Sequence, residues 1–353
     1  MKKGYLVLQD GQVFEGVRFG AEADTIGELV FTTSVVGYVE TLTDPSYAGQ
    51  IVMQTYPLIG NVGMIREDLE GACCVKGYVV RELCDAPSNF RTDCDLDSYL
   101  KEVGVPGLYG VDTRQLTRII RERGVMNAAI CDEIPADLTP VTTYAITGQV
   151  AAVTCKEAYD VPAIGEERSH VCMLDYGVTR KIIQALQERG CRVTVLPASA
   201  TAEDVLAMGP DGVALSNGPG DPEENTFQIE QIRKLLGKVP LFGIGLGHQL
   251  AALAAGGRTC KLKYGHRGGN QPVRDLAGVR TYITSQNHGY AVDGDSVKNG
   301  KVRFVNANDG TCEGIDYPEL NAFTVQFAPD TAGEKDTAFL YGRFVDMMKG
   351  GEL

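Results

Sequence analysis

The stretch VPLFGIGLGHQ, residues Val239–Gln249, decides the fold of the second half of the chain. Its apolar first part predicts a buried strand over Pro240–Ile244, and the predicted helix Gln249–Ala255 follows almost at once. Glycines on both sides of position 245 allow a sharp turn that holds the central residue at the carboxyl end of a sheet. This pattern predicts a nucleophile elbow, in which the central side chain attacks and the next backbone N–H faces the developing oxyanion.

The central position of the elbow carries no nucleophile. A serine or cysteine is required there, whereas this chain has Gly245. Two other interpretations of the stretch stay open: a dinucleotide-binding loop and a glycine turn with a structural role only. A dinucleotide-binding loop would need glycine where His248 stands and an acidic residue about twenty positions later at a second strand end, which the sequence lacks. A glycine turn with a structural role only has no such requirement.

Strands and helices alternate around the elbow. The predicted strands are Val171–Leu174, Arg192–Leu196, Gly212–Ser216 and Pro240–Ile244, and the predicted helices are Arg180–Glu188, one opened by Thr201, Gln228–Leu236 and Gln249–Ala255. Short apolar strands separated by helices are typical of a parallel sheet covered on both faces. The second half is therefore predicted to be an α/β domain with a doubly wound, mostly parallel sheet. Its predicted last elements are the strands Arg280–Thr284, Arg303–Asn306 and Ala322–Gln326 and a helix from about 336 to Met348.

The first part of the chain predicts a different, mixed α/β domain over residues 1–140. It has short strand-like runs and an amphipathic helix that Asp112 opens and Gly124 stops. A weakly patterned segment follows and ends in a charged run, which predicts a linker over 141–168. The doubly wound domain would then occupy residues 169–353.

Composition excludes several classes of function. The chain has 353 residues and a net charge of −13, which disfavours binding to nucleic acid or to anionic membranes. No apolar run reaches transmembrane length and the ten cysteines suggest reduced thiols, so we expect a cytoplasmic protein. The four histidines lie far apart in the sequence, without the spacing of metal ligands, so no metal site is expected. They are His170, His248, His266 and His288.

Two further segments place small and polar residues after predicted strands. In SNGPGDP, Ser216–Pro222, glycines would let backbone amides approach a small polar ligand, and Asp221 before a proline predicts a helix cap. A tight turn with a cap is the alternative for this segment. The second segment, QNHGY at Gln286–Tyr290, is weak evidence when taken alone.

Together these segments resemble the class I, triad-type glutamine amidotransferases, and among them the small subunits of carbamoyl-phosphate synthetases. The resemblance covers nearly the whole chain. The matching motifs of the second half are Ser216–Pro222, Phe242–Gln249, Tyr264–Asn270 and Gln286–Gly289. The motifs that separate this family from other triad amidotransferases are Gly37-Tyr38, Leu42–Tyr47, Tyr56–Asn61 and Asp112–Thr117.

The resemblance implies a task and a partner. Such small subunits hydrolyse glutamine and pass ammonia through an internal tunnel to a large, ATP-dependent synthetase subunit. That partner makes carbamoyl phosphate for arginine and pyrimidine synthesis. ATP and magnesium are expected on the large subunit, so no cofactor is expected in this chain.

The resemblance also implies that the catalytic triad is lost. The family's cysteine nucleophile falls on Gly245, and its His-Pro-Glu falls on Ala328-Pro329-Asp330, where only the carboxylate survives. Hydrolysis by this route needs a thiolate to attack and an imidazole to move protons, so we predict an inactive glutaminase. Backbone N–H groups of Gly218 and Leu246 are implied at the oxyanion. The positions that match the family's glutamine contacts are Ser46, Gly218, Gly220, Leu246, Gln249, Asn287, Gly289 and Tyr290.

Three functions stay open on the sequence. The chain is a small subunit of an ammonia-dependent synthetase, or a regulatory pseudoenzyme that binds glutamine without hydrolysing it, or an enzyme with an unrecognised nucleophile. Cys260 and Cys312 are the candidates for the third, but both are predicted to be core thiols in strand-like segments.

Overall fold

The computed structural model describes residues 2–329 and 337–351. The chain forms two compact units, Met1–Thr147 and Gly148–Leu353, and the boundary lies inside the segment 141–168. Among the described residues, no helix combines the length and the apolar character that crossing a bilayer requires.

The amino-terminal unit is built on a closed barrel. Its strands are β1 (Lys3–Leu8), β2 (Val13–Gly20), β3 (Thr25–Thr32), β4 (Gln50–Gln54), β5 (Leu58–Ile59), β6 (Gly77–Val79), β7 (Glu82–Leu83), β8 (Pro106–Tyr109) and β9 (Met126–Cys131). The barrel order is β1-β2-β8-β6-β4-β3-β9, and β5 pairs with β7 separately. The helices are α1 (Tyr38–Thr43), α2 (Leu96–Glu102), α3 (Thr113–Arg123) and α4 (Thr139–Thr142). This unit is mixed α/β, as predicted, but the sequence did not indicate that its sheet closes.

Helix α3 matches the amphipathic helix predicted from the sequence. The Asp112 carboxylate caps its first turn by accepting a hydrogen bond from the Gln115 backbone N–H at 3.0 Å. Leu116 and Ile120 are fully buried on its apolar face. The helix stops at Gly124, whose φ of 96° is accessible to glycine at low cost.

The carboxy-terminal unit contains a ten-stranded sheet in the order β10-β12-β11-β13-β14-β19-β18-β16-β15-β17. Its strands are β10 (Tyr159–Val161), β11 (Ser169–Asp175), β12 (Cys191–Pro197), β13 (Gly212–Leu215), β14 (Leu241–Ile244), β15 (Arg258–Asp275), β16 (Thr281–Asp293), β17 (Lys301–Asn306), β18 (Cys312–Tyr317) and β19 (Ala322–Val325). The helices are α5 (Gln149–Val153), α6 (Arg180–Gln187), α7 (Ala202–Ala207), α8 (Thr226–Leu235), α9 (Leu246–Ala254) and α10 (Phe339–Met348).

The centre of this sheet is parallel and buried on both faces. Strands β12, β11, β13, β14 and β19 pair in parallel, which confirms the predicted α/β fold. Successive residues of β14 point to opposite sides, so Leu241 joins the apolar cluster that includes α8 and α9, and Phe242 joins the one that includes α6 and α10. Both side chains are completely buried.

Several elements differ from the sequence-based prediction. Helix α9 begins at Leu246 and not at Gln249, because the turn at position 245 passes directly into helical backbone. Strand β10 lies within the segment predicted as a linker and pairs with β12 at the sheet edge. The predicted start of the last helix near 336 lies outside the described residues. The long β15–β16 hairpin was predicted only in part, as the strand Arg280–Thr284.

Candidate functional site

The elbow predicted from the sequence is present as a sharp turn between β14 and α9. Gly245 has φ 58° and ψ −112°, a conformation that residues with a side chain adopt only under strain. Its N–H donates to the carbonyl oxygen of Val325 at 2.9 Å, which holds the turn beside the end of β19. As the first residue of α9, Leu246 has no acceptor for its N–H within the helix. The backbone therefore keeps the features of an elbow although no side chain stands at its centre.

The other glycines of the elbow let α9 approach the sheet closely. A Cβ at Gly247 would lie 2.5 Å from the Leu215 carbonyl oxygen, and one at Gly243 would lie 2.8 Å from the Gly247 oxygen. In the loop after β13, a Cβ at Gly218 would collide with the carbonyl oxygen of Tyr176. These positions need glycine for packing, which is a sufficient reason for their presence apart from any ligand.

The loop after β13 forms the second wall of the site. Ser216 is fully buried, and its hydroxyl accepts from the Tyr176 N–H and donates to the Asn217 carbonyl oxygen, both at 2.8 Å. Gly220 has φ 90°, so this turn requires glycine. The Asp221 carboxylate accepts from the Glu223 N–H at 2.9 Å, which confirms the predicted cap, although it caps a 3-10 turn.

The third wall consists of the segment after β19 and the middle of β16. The Ala328 N–H donates to the Ser285 carbonyl oxygen at 3.1 Å. The side-chain amide of Gln249 donates to the Tyr290 carbonyl oxygen and to Gln326 Oε1, both at 2.8 Å. Strand β16, the segment that carries Ala328 and the elbow helix are thus joined by hydrogen bonds.

The structure brings most of the predicted site residues to one edge of the sheet. Registers Leu215↔Gly243 and Ile244↔Val325 place the ends of β13, β14 and β19 side by side. A Cβ at Gly245 would lie 3.1 Å from Asn217 Cβ and 3.9 Å from the Gln326 carbonyl oxygen. The predicted residues that lie on the elements meeting there are Gly218, Gly220, Leu246, Gln249, Asn287, Gly289, Tyr290, Gly245 and Ala328.

The last two predicted site residues are Ser46 and Asp330. Ser46 lies in the amino-terminal unit, in the turn Pro45–Tyr47, where its N–H donates to Asp44 Oδ1 at 2.9 Å. Asp330, the predicted surviving triad carboxylate, lies outside the described residues.

Four cysteines of this unit are buried or half-buried thiols that are not activated. Burial raises the pKa of Cys155, Cys172 and Cys191 to about 11 each and that of Cys312 to about 12. A nucleophilic cysteine needs the opposite shift, because the thiolate is the attacking species. Cys312 is a core thiol, as predicted, but the prediction is wrong for Cys260, which is exposed on β15.

Sequence analysis missed a buried polar cluster beside the site. His266 and His288 face each other across the β15–β16 hairpin, and Glu313 on β18 lies against them. The absence of a metal site was expected because the histidines are far apart in the sequence, and the hairpin removes that separation. The sequence signal that could have found the cluster is the pair of matched motifs Tyr264–Asn270 and Gln286–Gly289, each of which contains one histidine.

His248 is a buried neutral base that should make the fold sensitive to acid. It is fully buried on α9, its Nδ1 lies 2.7 Å from Thr324 Oγ1, and burial lowers its pKa to about 3. The unfolded chain binds this proton near pH 6.5, so the unfolded state carries the extra proton between these two values. The contribution of neutral His248 to the free energy of unfolding is therefore fully present above about pH 6.5. It declines as the pH falls towards 3. The loss between pH 7 and pH 5 should be about 2 kcal/mol.

Urea unfolding of the parent chain and of His248→Asn at pH 7 and pH 5 tests this effect. The variant is expected to be less stable at pH 7, because the imidazole fills a packed site, but its loss between the two pH values should be about 2 kcal/mol smaller. Equal losses in both proteins would show that other groups cause the acid sensitivity.

Two family models match the chain and together cover most of it. The carbamoyl-phosphate synthase small chain, CPSase domain, matches residues 6–130, and glutamine amidotransferase class-I matches residues 172–347. The first match lies within the amino-terminal unit and the second within the carboxy-terminal unit.

Full-length relatives give the same result. The carbamoyl phosphate synthase small chain of Fusobacterium nucleatum is 48% identical over 350 residues, which is 96% of each chain. That of Syntrophotalea carbinolica is 49% identical over 368 residues, with 98% of each chain covered. That of Bacillus cereus is 47% identical over 354 residues, covering 98% of this chain and 96% of the relative. The resemblance inferred from the motifs is confirmed: the chain belongs to the carbamoyl phosphate synthase small-chain family and carries a class-I glutamine amidotransferase domain.

Proposed function

We propose that this chain is the small subunit of a carbamoyl phosphate synthase that has lost its own glutaminase and works with free ammonia. The observation that carries the proposal is Gly245 at the centre of an elbow whose backbone is otherwise retained. Ala328, at the position of the family's histidine, supports it independently, because an alanine cannot accept or return a proton.

The chemical consequence of these two residues is large. Without a thiolate at 245 no covalent intermediate forms, and without an imidazole at 328 neither the attack nor the departure of ammonia is assisted. In a studied hydrolase, loss of the nucleophile or of the base alone lowers kcat by about 10⁶-fold. A residual rate of that size would not supply a biosynthetic enzyme.

The remaining task of the chain is to serve its partner. We infer that it binds a large, ATP-dependent subunit, which holds the ATP and magnesium and forms carbamoyl phosphate for arginine and pyrimidine synthesis. In this role the two units would complete the fold of the complex and leave the ammonia route open, while the elbow would have an architectural role only.

Carbamoyl phosphate synthesis by the complex of this chain with its large subunit tests the proposal. The complex is supplied with either glutamine or ammonium at saturating ATP, and glutamate release is followed in parallel. We expect turnover with ammonium and no glutamate above the level of a sample that lacks this chain. Glutamate released in proportion to carbamoyl phosphate would overturn the proposal and would indicate a second nucleophile.

A regulatory function is the second candidate. It is favoured by the retained backbone around the elbow, namely the loop after β13 and the first turn of α9, which together are called the cradle. Gly220 keeps a positive φ in the loop after β13, and Leu246 still opens α9 with its N–H unused by the helix. If this cradle binds glutamine, the ligand would bias the partner through its different affinity for the partner's states. Calorimetry with glutamine, together with the ammonium-dependent rate in its presence, distinguishes the two functions. Binding that changes that rate supports regulation, and the absence of binding supports the architectural role.

A further inference from the structure

The cluster of His266, His288 and Glu313 lies in the interior of the carboxy-terminal unit. His266 and His288 are 8% and 7% exposed, and Glu313 is completely buried. One potential ligand atom from each residue lies within 4.8 Å of the others. The two imidazole rings meet edge to face with their centroids 4.9 Å apart. Three groups that can bind a metal ion are therefore collected at one buried point by three different strands.

Each histidine has its outer nitrogen bound to an oxygen. His266 Nε2 lies 2.8 Å from Asp309 Oδ2, and His288 Nδ1 lies 2.8 Å from the Tyr290 carbonyl oxygen. An N–H donated to each oxygen turns the inner nitrogen of each ring towards the other side chains of the cluster. This is the arrangement in which metal-binding histidines are usually held, by a carboxylate or a carbonyl behind the ring.

The inner nitrogen of His266 lacks a hydrogen bond in the described part of the chain. Its Nδ1 lies 3.3 Å from Glu313 Oε1, but the two atoms are not aligned for a hydrogen bond, and Nδ1 is buried. A buried polar atom without a partner normally needs an explanation, such as an ion that the site takes up.

The inner nitrogen of His288 faces an acceptor. It lies 3.0 Å from Gln286 Oε1, while the amide nitrogen of Gln286 donates to Glu313 Oε2 at 2.9 Å. With the Nδ1–H of His288 donated to Tyr290, Nε2 is the ring nitrogen that faces the other side chains of the cluster.

The cluster thus turns electron-pair donors from three side chains towards one buried point, and one of them, His266 Nδ1, has no hydrogen-bond partner among the described residues. A cation between the three side chains would bind all of them at once. Two imidazoles and one carboxylate suit zinc and similar divalent metals, with the fourth position left for water or for Gln286. Magnesium and calcium prefer oxygen ligands alone, so they fit this set poorly.

We propose that His266, His288 and Glu313 form a binding site for one divalent transition-metal ion of the zinc type, with Asp309 positioning His266. The Gln326 N–H donates to the Glu313 carbonyl oxygen at 2.9 Å, and the Gln326 side chain accepts from Gln249 on the elbow helix. The bound ion would therefore fix strands β15, β16 and β18 beside the elbow. The site does not depend on whether glutamine is hydrolysed.

Cobalt is the probe for the test, because its absorption reports the ligands. The full chain is treated with a chelator, freed of it, and titrated with Co²⁺. We expect one equivalent of Co²⁺ to bind and to give visible ligand-field bands. The absence of sulfur-to-cobalt charge-transfer bands would exclude the ten cysteines as ligands. Zn²⁺ should displace it. The absence of binding, or spectra with thiolate bands, would overturn the proposal.

Three variants make the assignment specific. Glu313→Gln preserves the shape but removes a charged ligand, so Co²⁺ affinity should fall by more than about 100-fold, and Asp309→Asn, behind His266, should lower it about 10–100-fold. His170→Gln, a histidine on β11 outside the cluster, should leave it unchanged. Circular dichroism without metal checks the folding of each variant. Asp309 is half exposed, so its variant keeps the test decisive if Glu313→Gln fails to fold. Unchanged affinity in folded Asp309→Asn would contradict the assignment.

Discussion

Gly245→Cys alone is expected to leave glutamine hydrolysis at the level of the parent chain, whereas Gly245→Cys with Ala328→His should raise it by about 10²–10⁴-fold over either single variant. A thiol at 245 has no base at its partner position, because residue 328 is alanine, so the thiol stays mostly protonated near neutral pH. A histidine at 328 without the thiol has nothing to activate. Because nucleophile and base act as a unit, the gain should appear only in the double variant.

The structure adds a cost that the sequence does not show. At φ 58° and ψ −112°, a cysteine at 245 would be strained by about 1–3 kcal/mol. Its Cβ would also lie only 3.1 Å from Asn217 Cβ, so the loop after β13 must shift slightly. Gly245→Cys should therefore lower the melting temperature even if it restores no chemistry.

Glutamate release from the parent, both single variants and the double variant measures this effect, and thermal unfolding of each measures the strain. Gly245→Ala is the matched control, because it carries the same backbone strain without the thiol. Full activity from Gly245→Cys alone would show that a base other than residue 328 already serves the site.

Phe242→Ala is expected to destabilise the carboxy-terminal unit by about 3–5 kcal/mol. Phe242 is completely buried on β14, directly before the elbow, and stacks on Phe323 with the ring centroids 4.5 Å apart. The ring centroids of Tyr341 and Phe344 on α10 each lie 5.7 Å from that of Phe242. Truncation would leave a cavity among rigid aromatic rings that cannot collapse into it, which adds to the lost burial.

Urea unfolding of Phe242→Ala against the parent chain tests this expectation. Phe227→Ala is the matched control, because Phe227 is 42% exposed on α8 of the same unit and should cost less than about 1 kcal/mol. A similar small loss in both variants would mean that the aromatic cluster can repack around a void.

The parallel sheet and the elbow could be predicted because their signals are local. An apolar run of strand length, a glycine turn and an immediate helix describe successive backbone conformations, and these depend mainly on the residues themselves. The start of α9 was predicted wrongly because the local signal and the packing disagree there. Glycine at positions 245 and 247 lowers the apparent helix propensity, whereas packing against Leu215 imposes the helix from Leu246 onwards.

The buried cluster could not be predicted in the same way, because strand pairing decides it. The β15–β16 register shifts between Lys261 and His266 and again between Gly268 and Gln271. A shift of one residue turns every following side chain to the other face of the sheet, so only the actual bulges place His266 opposite His288. The closure of the amino-terminal barrel likewise depends on pairings such as β1 with β9, which no local pattern specifies.

The sequence by itself therefore determined the family and the α/β fold. It also carries the proposal that the glutaminase is lost, because Gly245 offers no thiol and Ala328 offers no imidazole. The tertiary structure alone decided which distant groups meet: the amide of Gln249 with Tyr290 and Gln326, and the histidines of one hairpin with the carboxylate of Glu313. Residue identity fixes what a position can do. The register and packing of the whole sheet fix which positions come together.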